Sequence, residues 1–266
     1  MAKVIAIANQ KGGVGKTTTA VNVSACLAAL GKKTLLLDID PQGNSTSGVG
    51  FDKLKIKQCI YDVLINDVPL SEIIIETKYP LFHVVPATMQ LAGAEIELVA
   101  ALSREQRLKN ALNSIKDQYD YIIIDCPPSL GLLTLNALTA ADSLIVPIQC
   151  EFYALEGLGQ LLNTIALVQK HLNPHLEIEG VLLTMFDGRT NLSIQVAEEV
   201  KSCFKGKVYR TVIPRNVRLS EAPSHGLPII YYDNKSKGAE FYQDLAKEIA
   251  AAEDDFYEDL PTWKRK

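Results

Sequence analysis

A glycine- and lysine-rich loop near the N-terminus has the residue types and spacing to hold phosphate groups. Its members are Lys11, Gly12, Gly13, Val14, Gly15, Lys16, Thr17 and Thr18. Glycines adopt backbone angles closed to other residues, so the amide groups of this loop can turn inward around a phosphate. Lys16 supplies a positive charge for the outer phosphates, and the Thr17 hydroxyl is placed to ligate Mg²⁺. The pattern predicts a site for a nucleoside triphosphate with Mg²⁺.

The segments on either side of the loop are those that a phosphate-binding loop requires. An apolar run over 4–8 predicts a strand before it, and a helical pattern over 16–30 follows it. The N-terminus of that helix adds roughly half a positive charge of dipole at the phosphate. The loop departs from the pattern G-x-x-x-x-G-K-[ST] at one position, where Gln10 replaces the first glycine. A second lysine, Lys11, lies at the loop entrance instead.

Three aspartates at or just after the ends of two apolar segments are further candidates for the functional site. Asp38 ends the segment 34–38, Asp40 follows two residues later, and Asp125 ends the segment 121–125. In doubly wound folds, ligands bind at the carboxyl ends of the strands. We therefore expect these aspartates beside the phosphate loop, with Asp125 binding Mg²⁺ directly or through water. The alternative for each of them is a purely structural role as a cap.

Apolar strand-like segments alternate with helical patterns along the sequence, which indicates βαβ units. The predicted fold class is α/β, a doubly wound and mostly parallel sheet with helices on both faces, of the P-loop NTPase type. We found no linker, repeat or low-complexity segment. Residues 1–252 are therefore predicted to form one domain, and 253–266 an acidic, flexible tail.

Periodicity also predicts individual element boundaries. Further helices are expected over 103–116, 130–141, 154–170, 192–204 and 238–252, with short helices in 60–78. Further strands are expected over 81–85, 143–147, 181–184 and 208–212. The small, polar segment 45–57 is predicted to be mobile near the site.

The loop sequence K-G-G-V-G-K-T-T resembles the deviant Walker A motif of the ParA/MinD/nitrogenase iron-protein group of P-loop ATPases. In that group the first lysine, which is Lys11 here, reaches across a dimer interface to the partner's nucleotide. The Asp-Cys-Pro-Pro sequence at 125–128 resembles the same group. The segment 38–44 resembles its switch motif, which implies that Asp40 orients the water attacking the γ-phosphate and that Asp38 supports the metal.

The resemblance assigns three roles within the predicted site. The catalytic residues are Lys11, Lys16 and Asp40. The metal-site residues are Thr17, Asp38 and Asp125. The segment 213–216 resembles the part of these proteins that contacts the adenine ring, so Pro214 and Asn216 are expected to be base contacts, and the alternative for them is an ordinary loop.

The resemblance is closest to bacterial chromosomal ParA proteins, often called Soj, of the short form without an N-terminal DNA-reading domain. It covers nearly the whole chain, including 86–95, 149–158 and 218–226. Such proteins form an ATP-bound sandwich dimer that binds double-stranded DNA without sequence preference. A ParB protein on centromere-like sites stimulates ATP hydrolysis and so releases these proteins from the DNA. The resemblance thus implies ATP and Mg²⁺, a homodimer, DNA, a ParB-type partner and, for chromosomal members, an effect on replication initiation.

The charge distribution supplies candidates for the DNA contact. The net charge is −4, yet 200–237 contains eight Lys or Arg residues against two acidic ones. Arg189 and Arg218 lie where family members use arginines. The basic stretch adds Arg215 and the lysines Lys201, Lys205 and Lys207. Cationic side chains that neutralise phosphates give sequence-independent affinity, and the alternative is a solvated charged face.

Other classes of protein fit the sequence less well. The five cysteines have no C-x-x-C spacing, which argues against a disulfide framework or a cluster-bearing electron-transfer ATPase. We expect no signal peptide, no membrane span and a cytoplasmic location, on the nucleoid when ATP is bound. A MinD-like membrane switch would need a basic amphipathic C-terminal helix, but the tail is acidic. A metabolic P-loop synthetase leaves the basic stretch without a role.

Overall fold

The computed structural model describes residues 1–151 and 158–251 and places their strands in one sheet. The strands are β1 (Lys3–Ile7), β2 (Thr34–Asp38), β3 (Ile75–Glu76), β4 (Phe82–Val85), β5 (Tyr121–Asp125), β6 (Ser143–Gln149) and β7 (Glu177–Thr184). Their order is β3-β4-β2-β5-β1-β6-β7. All pairs are parallel except β3 with β4. The α/β fold class is confirmed.

Helices connect the strands and cover the sheet. They are α1 (Lys16–Ala29), α2 (Asn44–Gly48), α3 (Ile60–Asn66), α4 (Leu70–Ile73), α5 (Ala94–Glu97), α6 (Arg107–Leu112), α7 (Leu132–Ala140), α8 (Leu158–His171), α9 (Asn191–Cys203), α10 (Val217–Glu221), α11 (Ile229–Tyr232) and α12 (Lys237–Ala251). Short 3₁₀ helices lie at Lys53–Lys55, Met89–Gly93, Leu98–Ala100, Lys116–Gln118 and Ala222–His225.

The two faces of the sheet bury separate hydrophobic clusters, because side chains alternate along each strand. In β1, Ile5 and Ile7 pack on the face covered by α1 and α12. Val4 and Ala6 of the same strand point to the other face, which α7, α8 and α9 cover. Burial on both sides explains why the central strands read as continuous apolar runs.

Several predicted boundaries are wrong, for identifiable reasons. The segment 45–57 is not simply mobile, because α2 includes its first residues, of which Ser45 and Thr46 are completely buried. The predicted strand 208–212 forms only an isolated bridge from Val208 to Val181 beside β7. The predicted helix 103–116 is reduced to α6, and Ser103 has a φ of 49°, which ends any helical run there.

Two predictions concern residues that lie partly outside the described part of the chain. The tail 253–266 lies outside it entirely, as does the start of the predicted helix 154–170. The single-domain boundary at 252 therefore stays a prediction. Among the described residues, no helix is both long and apolar enough to cross a bilayer.

Candidate nucleotide and magnesium site

The phosphate-binding loop joins β1 to α1 at the centre of the sheet. Gly13 and Gly15 have φ values of 74° and 89°, in the left-handed region that side-chain-bearing residues avoid. Gly15 is also the residue that precedes the first turn of α1. These conformations turn the chain so that the first amides of the helix open toward the loop, as a phosphate site requires.

Hydrogen bonds from neighbouring strands hold the loop in place. The Asn9 side chain donates from Nδ2 to the Pro147 carbonyl at 2.8 Å, and its Oδ1 accepts from the Lys11 amide at 3.0 Å. Thr184, at the end of β7, donates from Oγ1 to the Val14 carbonyl at 2.8 Å. The loop is thus fixed by protein groups of β6 and β7, and such fixing lowers the entropic cost of binding a ligand.

Lys16 is buried at the start of α1, with only 6% of its surface exposed. Its Nζ donates to the Lys11 carbonyl at 3.0 Å. Burial lowers the pKa of Lys16, and the charges of Asp125 and Asp40 oppose that shift. The charge of Lys16 therefore sits in a low-dielectric site beside two of the predicted aspartates, where its interaction with a phosphate is strong.

Asp38 and Asp125 lie side by side at the carboxyl ends of β2 and β5, where they are paired in register. Both are completely buried. Burial raises the pKa of each carboxyl, and for Asp125 the neighbouring Asp38 charge adds to the shift. Two carboxylates in this position repel each other unless a cation lies between or beside them.

The oxygens available at this point fit Mg²⁺. Asp125 Oδ1 is buried and has no hydrogen-bond partner among the described residues. The Thr17 hydroxyl is within hydrogen-bonding reach of the same carboxyl, whose pKa it lowers. Within the described residues, no three His, Cys, Asp or Glu side chains form a metal cage of their own. Mg²⁺ prefers such a partial set of hard oxygens, completed by waters and substrate phosphates.

Asp40 lies in the loop that leaves β2, with 6% of its surface exposed. Its amide donates to Asp38 Oδ1 at 3.2 Å, and its own Oδ1 accepts from the Gln42 amide at 2.9 Å. The carboxylate is therefore held by the backbone of its own turn and lies close enough to Lys16 to influence its pKa. The structure brings Asp40 to the phosphate loop, as the sequence predicts.

A cavity of about 450 Å³ opens beside the loop and contains the predicted base contacts. Gly15 and Thr18 form one wall, and Pro214 and Asn216 form another. Asn216 also caps α10, because its Oδ1 accepts from the Leu219 amide at 3.3 Å. The cavity has a size suited to a bound small molecule, and it adjoins the phosphate loop directly.

The three candidate arginines lie on one surface near this cavity. Arg215 follows Pro214, Arg218 lies on α10, and Arg189 pairs with Asp187 at 2.8 Å. Hydrogen bonds from Arg189 lower the pKa of Asp187 to about 2, and the charge of Arg215 contributes as well. All three arginine side chains are more than half exposed.

Two of the three candidate lysines, Lys205 and Lys207, are not part of that surface. Lys207 approaches Glu177, the first residue of β7, at 3.9 Å. This position is at the amino end of the parallel strands, whereas the nucleotide site is at the carboxyl end. Lys201 is near the C-terminus of α9, and Lys205 lies between that helix and Lys207. The basic stretch of the sequence is thus divided between two edges of the sheet.

Sequence reasoning missed several residues of the site. Ser45 and Thr46 contact the metal-site carboxylates, although their small, polar segment indicated mobility. Thr184 supports the phosphate loop from a distant strand, and no local pattern marks it. Met185, which lines the cavity, has a φ of 50°, an uncommon conformation for a non-glycine residue that is found at functional sites.

This fold and this arrangement of loop, lysine and aspartates define a P-loop nucleotide-binding protein of the deviant Walker type. The model of the AAA domain family matches residues 2–178. The chain is 69% identical to the sporulation initiation inhibitor protein Soj of Bacillus subtilis, over 94% of this chain and 99% of that protein. It is 58% identical to the chromosome partitioning protein ParA of Myxococcus xanthus, over 93% of this chain and 87% of that protein. The chain belongs to the ParA/Soj family of chromosome-partitioning ATPases.

A solved structure supports the same fold at the level of coordinates. The cobyrinic acid a,c-diamide synthase of Mycobacterium smegmatis, solved with ADP and magnesium, has a TM-score of 0.85 to this chain at 41% identity. The match covers 96% of each chain.

Proposed function

We propose that this protein is an ATP-driven dimerising switch for chromosome or plasmid partitioning. It binds ATP with Mg²⁺, forms a sandwich dimer, and in that state binds double-stranded DNA without sequence preference. A ParB-type centromere-binding protein then stimulates hydrolysis and releases it from the DNA. The cycle takes place in the cytoplasm, on the nucleoid while ATP is bound, and the proposal extends to control of a replication initiator.

The observation that carries the proposal is the position of Lys11 in an otherwise well-fixed site. Its backbone is fixed by Asn9 and Lys16, yet among the described residues its ammonium group has no hydrogen-bond or ion-pair partner. A lysine at the entrance of a phosphate loop that is not used within its own subunit is available to a second subunit. Lys11 would then act as an arginine finger does, neutralising charge only when two subunits meet.

Hydrolysis needs positioning and charge stabilisation more than covalent chemistry. Lys16 and the loop amides hold the phosphates, and Asp40 orients the attacking water from its fixed turn. Mg²⁺, held by Thr17 with Asp38 and Asp125 in support, supplies neutralisation of the phosphate charge when it is bound. Because Lys11 comes from the partner, hydrolysis is slow in the monomer, and dimerisation controls it.

The exposed arginines support the DNA-binding part of the proposal. Each of them is paired with a carboxylate: Arg189 with Asp187, Arg215 with Glu151 at 3.3 Å, and Arg218 with Glu221 at 2.9 Å and Asp233 at 3.5 Å. Exposed pairs of this kind are weak, so a phosphate can replace the carboxylate at little cost. Binding through such contacts is expected to decrease steeply with salt concentration.

The rate of ATP hydrolysis, measured with and without DNA and a candidate ParB, tests the switch. We expect each addition alone to change the rate little and both together to raise it severalfold. A rate that is unaffected by the combination would contradict the proposal. An amide synthase would instead need its acid substrate and an amine donor for turnover, and DNA would have no effect.

Replacing Arg218 by glutamate is expected to abolish ATP-dependent co-sedimentation with DNA. The substitution turns a phosphate-binding cation into an anion that repels the DNA, while the nucleotide cavity keeps Asn216 and Pro214. Binding of a fluorescent ATP analogue should therefore be unchanged. Lys78→Glu is the matched control, because it makes the same charge change at an exposed site before β4, away from the nucleotide.

Two outcomes would contradict the role of the arginine surface. Unchanged DNA binding by Arg218→Glu would exclude Arg218 from the contact. An equal loss of DNA binding in Lys78→Glu would show that the change in net charge, and not the position of Arg218, causes the loss. Flotation with liposomes in the presence of ATP tests the MinD-like alternative, which depends on residues outside the described part of the chain.

A further inference from the structure

Helix α2 begins directly after the loop that contains Asp40, and two of its hydroxyl side chains donate hydrogen bonds to the metal-site carboxylates. Ser45 and Thr46 are both completely buried. A buried hydroxyl without a hydrogen bond destabilises a protein, so such groups occur where they have defined partners. In this site, the partners are Asp125 and Asp38.

Ser45 determines which oxygen of Asp125 is available. Its Oγ donates to Asp125 Oδ2 at 2.6 Å, a short hydrogen bond of the charge-assisted kind. The other oxygen, Oδ1, is buried without a partner among the described residues. The serine thus holds the carboxylate in one rotamer, with one oxygen bonded and the other left for a cation.

Thr46 fixes Asp38 in the same way, with an unambiguous direction of hydrogen bonding. The Ala87 amide can only donate, and it reaches Thr46 Oγ1 at 2.9 Å. The hydroxyl proton of Thr46 is therefore free to go to Asp38 Oδ2, at 2.8 Å, where the Thr46 amide also donates. Asp38 in turn accepts the Asp40 amide on its other oxygen. Thr46 therefore supports both the metal site and the turn that carries Asp40.

We propose that Ser45 and Thr46 are positioning residues for Mg²⁺-dependent nucleotide binding and hydrolysis. Ser45 orients Asp125 toward the metal, and Thr46 orients Asp38 and, through it, the Asp40 turn. This inference rests on the proposed function, because it concerns the same Mg²⁺-ATP site. Residues that orient metal ligands by hydrogen bonds contribute about 10- to 100-fold to metal affinity or activity.

The test is a Mg²⁺ titration of ATP-analogue binding by the full-length chain. We expect Ser45→Ala to raise the Mg²⁺ concentration needed for half-maximal binding by about 10-fold or more. Binding without Mg²⁺ should be nearly unchanged, and this separates a metal effect from misfolding. Ser47→Ala is the matched control, because its hydroxyl lies on the same helix and donates only to the carbonyls of Gly43 and Asn44. It should behave as the wild type.

The threonine is tested by a loss and a rescue. Thr46→Val keeps the shape but removes the donor to Asp38 and the acceptor for Ala87, so Mg²⁺-dependent binding and hydrolysis should both fall. Thr46→Ser restores the hydroxyl and should recover most of the loss. If Ser45→Ala does not fold, Ser45→Cys, with its weaker donor, should give an intermediate Mg²⁺ requirement.

The outcomes are distinct for the inference and for the proposed function. A wild-type Mg²⁺ requirement in folded Ser45→Ala or Ser45→Cys, or no rescue by Thr46→Ser, would overturn the positioning role. A wild-type protein whose ATP binding does not depend on Mg²⁺ would instead contradict the proposed function.

Discussion

Replacing Lys11 by alanine is expected to lower the rate of ATP hydrolysis by about 100-fold or more, measured with DNA and the ParB-type partner present. The reason is that a charge supplied in trans contributes about 10³- to 10⁵-fold to the rate in related phosphoryl-transfer sites. Among the described residues the ammonium group has no hydrogen-bond or ion-pair partner, so its loss should leave the fold and the loop intact. ATP binding to the monomer should be nearly unchanged. Formation of the ATP-dependent dimer, measured by light scattering, should be weakened as well.

Lys16→Ala is the informative comparison for Lys11→Ala. Lys16 is buried at the start of α1 and holds phosphates within its own subunit, so its removal should abolish ATP binding itself. The two variants are thus predicted to be defective at different steps, Lys16→Ala in ATP binding and Lys11→Ala in hydrolysis. A Lys11→Ala protein that hydrolyses ATP at the wild-type rate would contradict the proposal that Lys11 acts at the nucleotide of the partner subunit.

Replacing Asp40 by alanine is expected to reduce hydrolysis by about 10²- to 10⁴-fold, the usual contribution of a group that orients or activates the nucleophile. The carboxylate is not needed to hold the phosphates, so ATP binding and dimer formation should persist. The ATP-bound dimer should therefore accumulate and remain on DNA, even when the ParB-type partner is added. Co-sedimentation with DNA, followed over time after addition of the partner, measures this.

The result that would contradict the role of Asp40 is normal release from DNA with normal phosphate production. A control is Asp52→Ala, since Asp52 also follows β2 in the chain but, among the described residues, contacts only the 3₁₀ helix Lys53–Lys55, which it caps and whose Lys55 it pairs with at 3.5 Å. That variant should cycle as the wild type does.

The sequence was sufficient to predict the central part of the fold. Strands β2 and β5 have the predicted boundaries, because a strand buried on both faces is apolar throughout and its end is marked by an aspartate. Helix α1 ends within one residue of its predicted end, where Gly31 stops it. The meeting of the phosphate loop with Asp38 and Asp125 followed from the rule that parallel strands share a carboxyl edge.

The support of the site could not be predicted in the same way. Residues 44–48 have the sequence Asn-Ser-Thr-Ser-Gly, in which polar side chains compete with the helix for backbone hydrogen bonds. They form α2 because Asp38 and Asp125, from other segments, accept those hydrogen bonds. Likewise, the lysines Lys205 and Lys207 are near Arg215 in the chain, but the segment 208–214 runs parallel to β7, from its amino end to its carboxyl end. Lys205 and Lys207 therefore lie at the opposite edge from Arg215.

The most direct test of the account is hydrolysis by a mixture of two inactive variants. If each site combines its own Asp40 with the partner's Lys11, a Lys11→Ala subunit paired with an Asp40→Ala subunit contains one complete site. The two variants are mixed in equal amounts before ATP is added, at protein concentrations high enough for both to dimerise. About a quarter of the wild-type rate should then be recovered in a two-fold symmetric dimer, because half the dimers are mixed and each has one active site. A mixture no more active than either variant alone would contradict the claim that dimerisation completes the site.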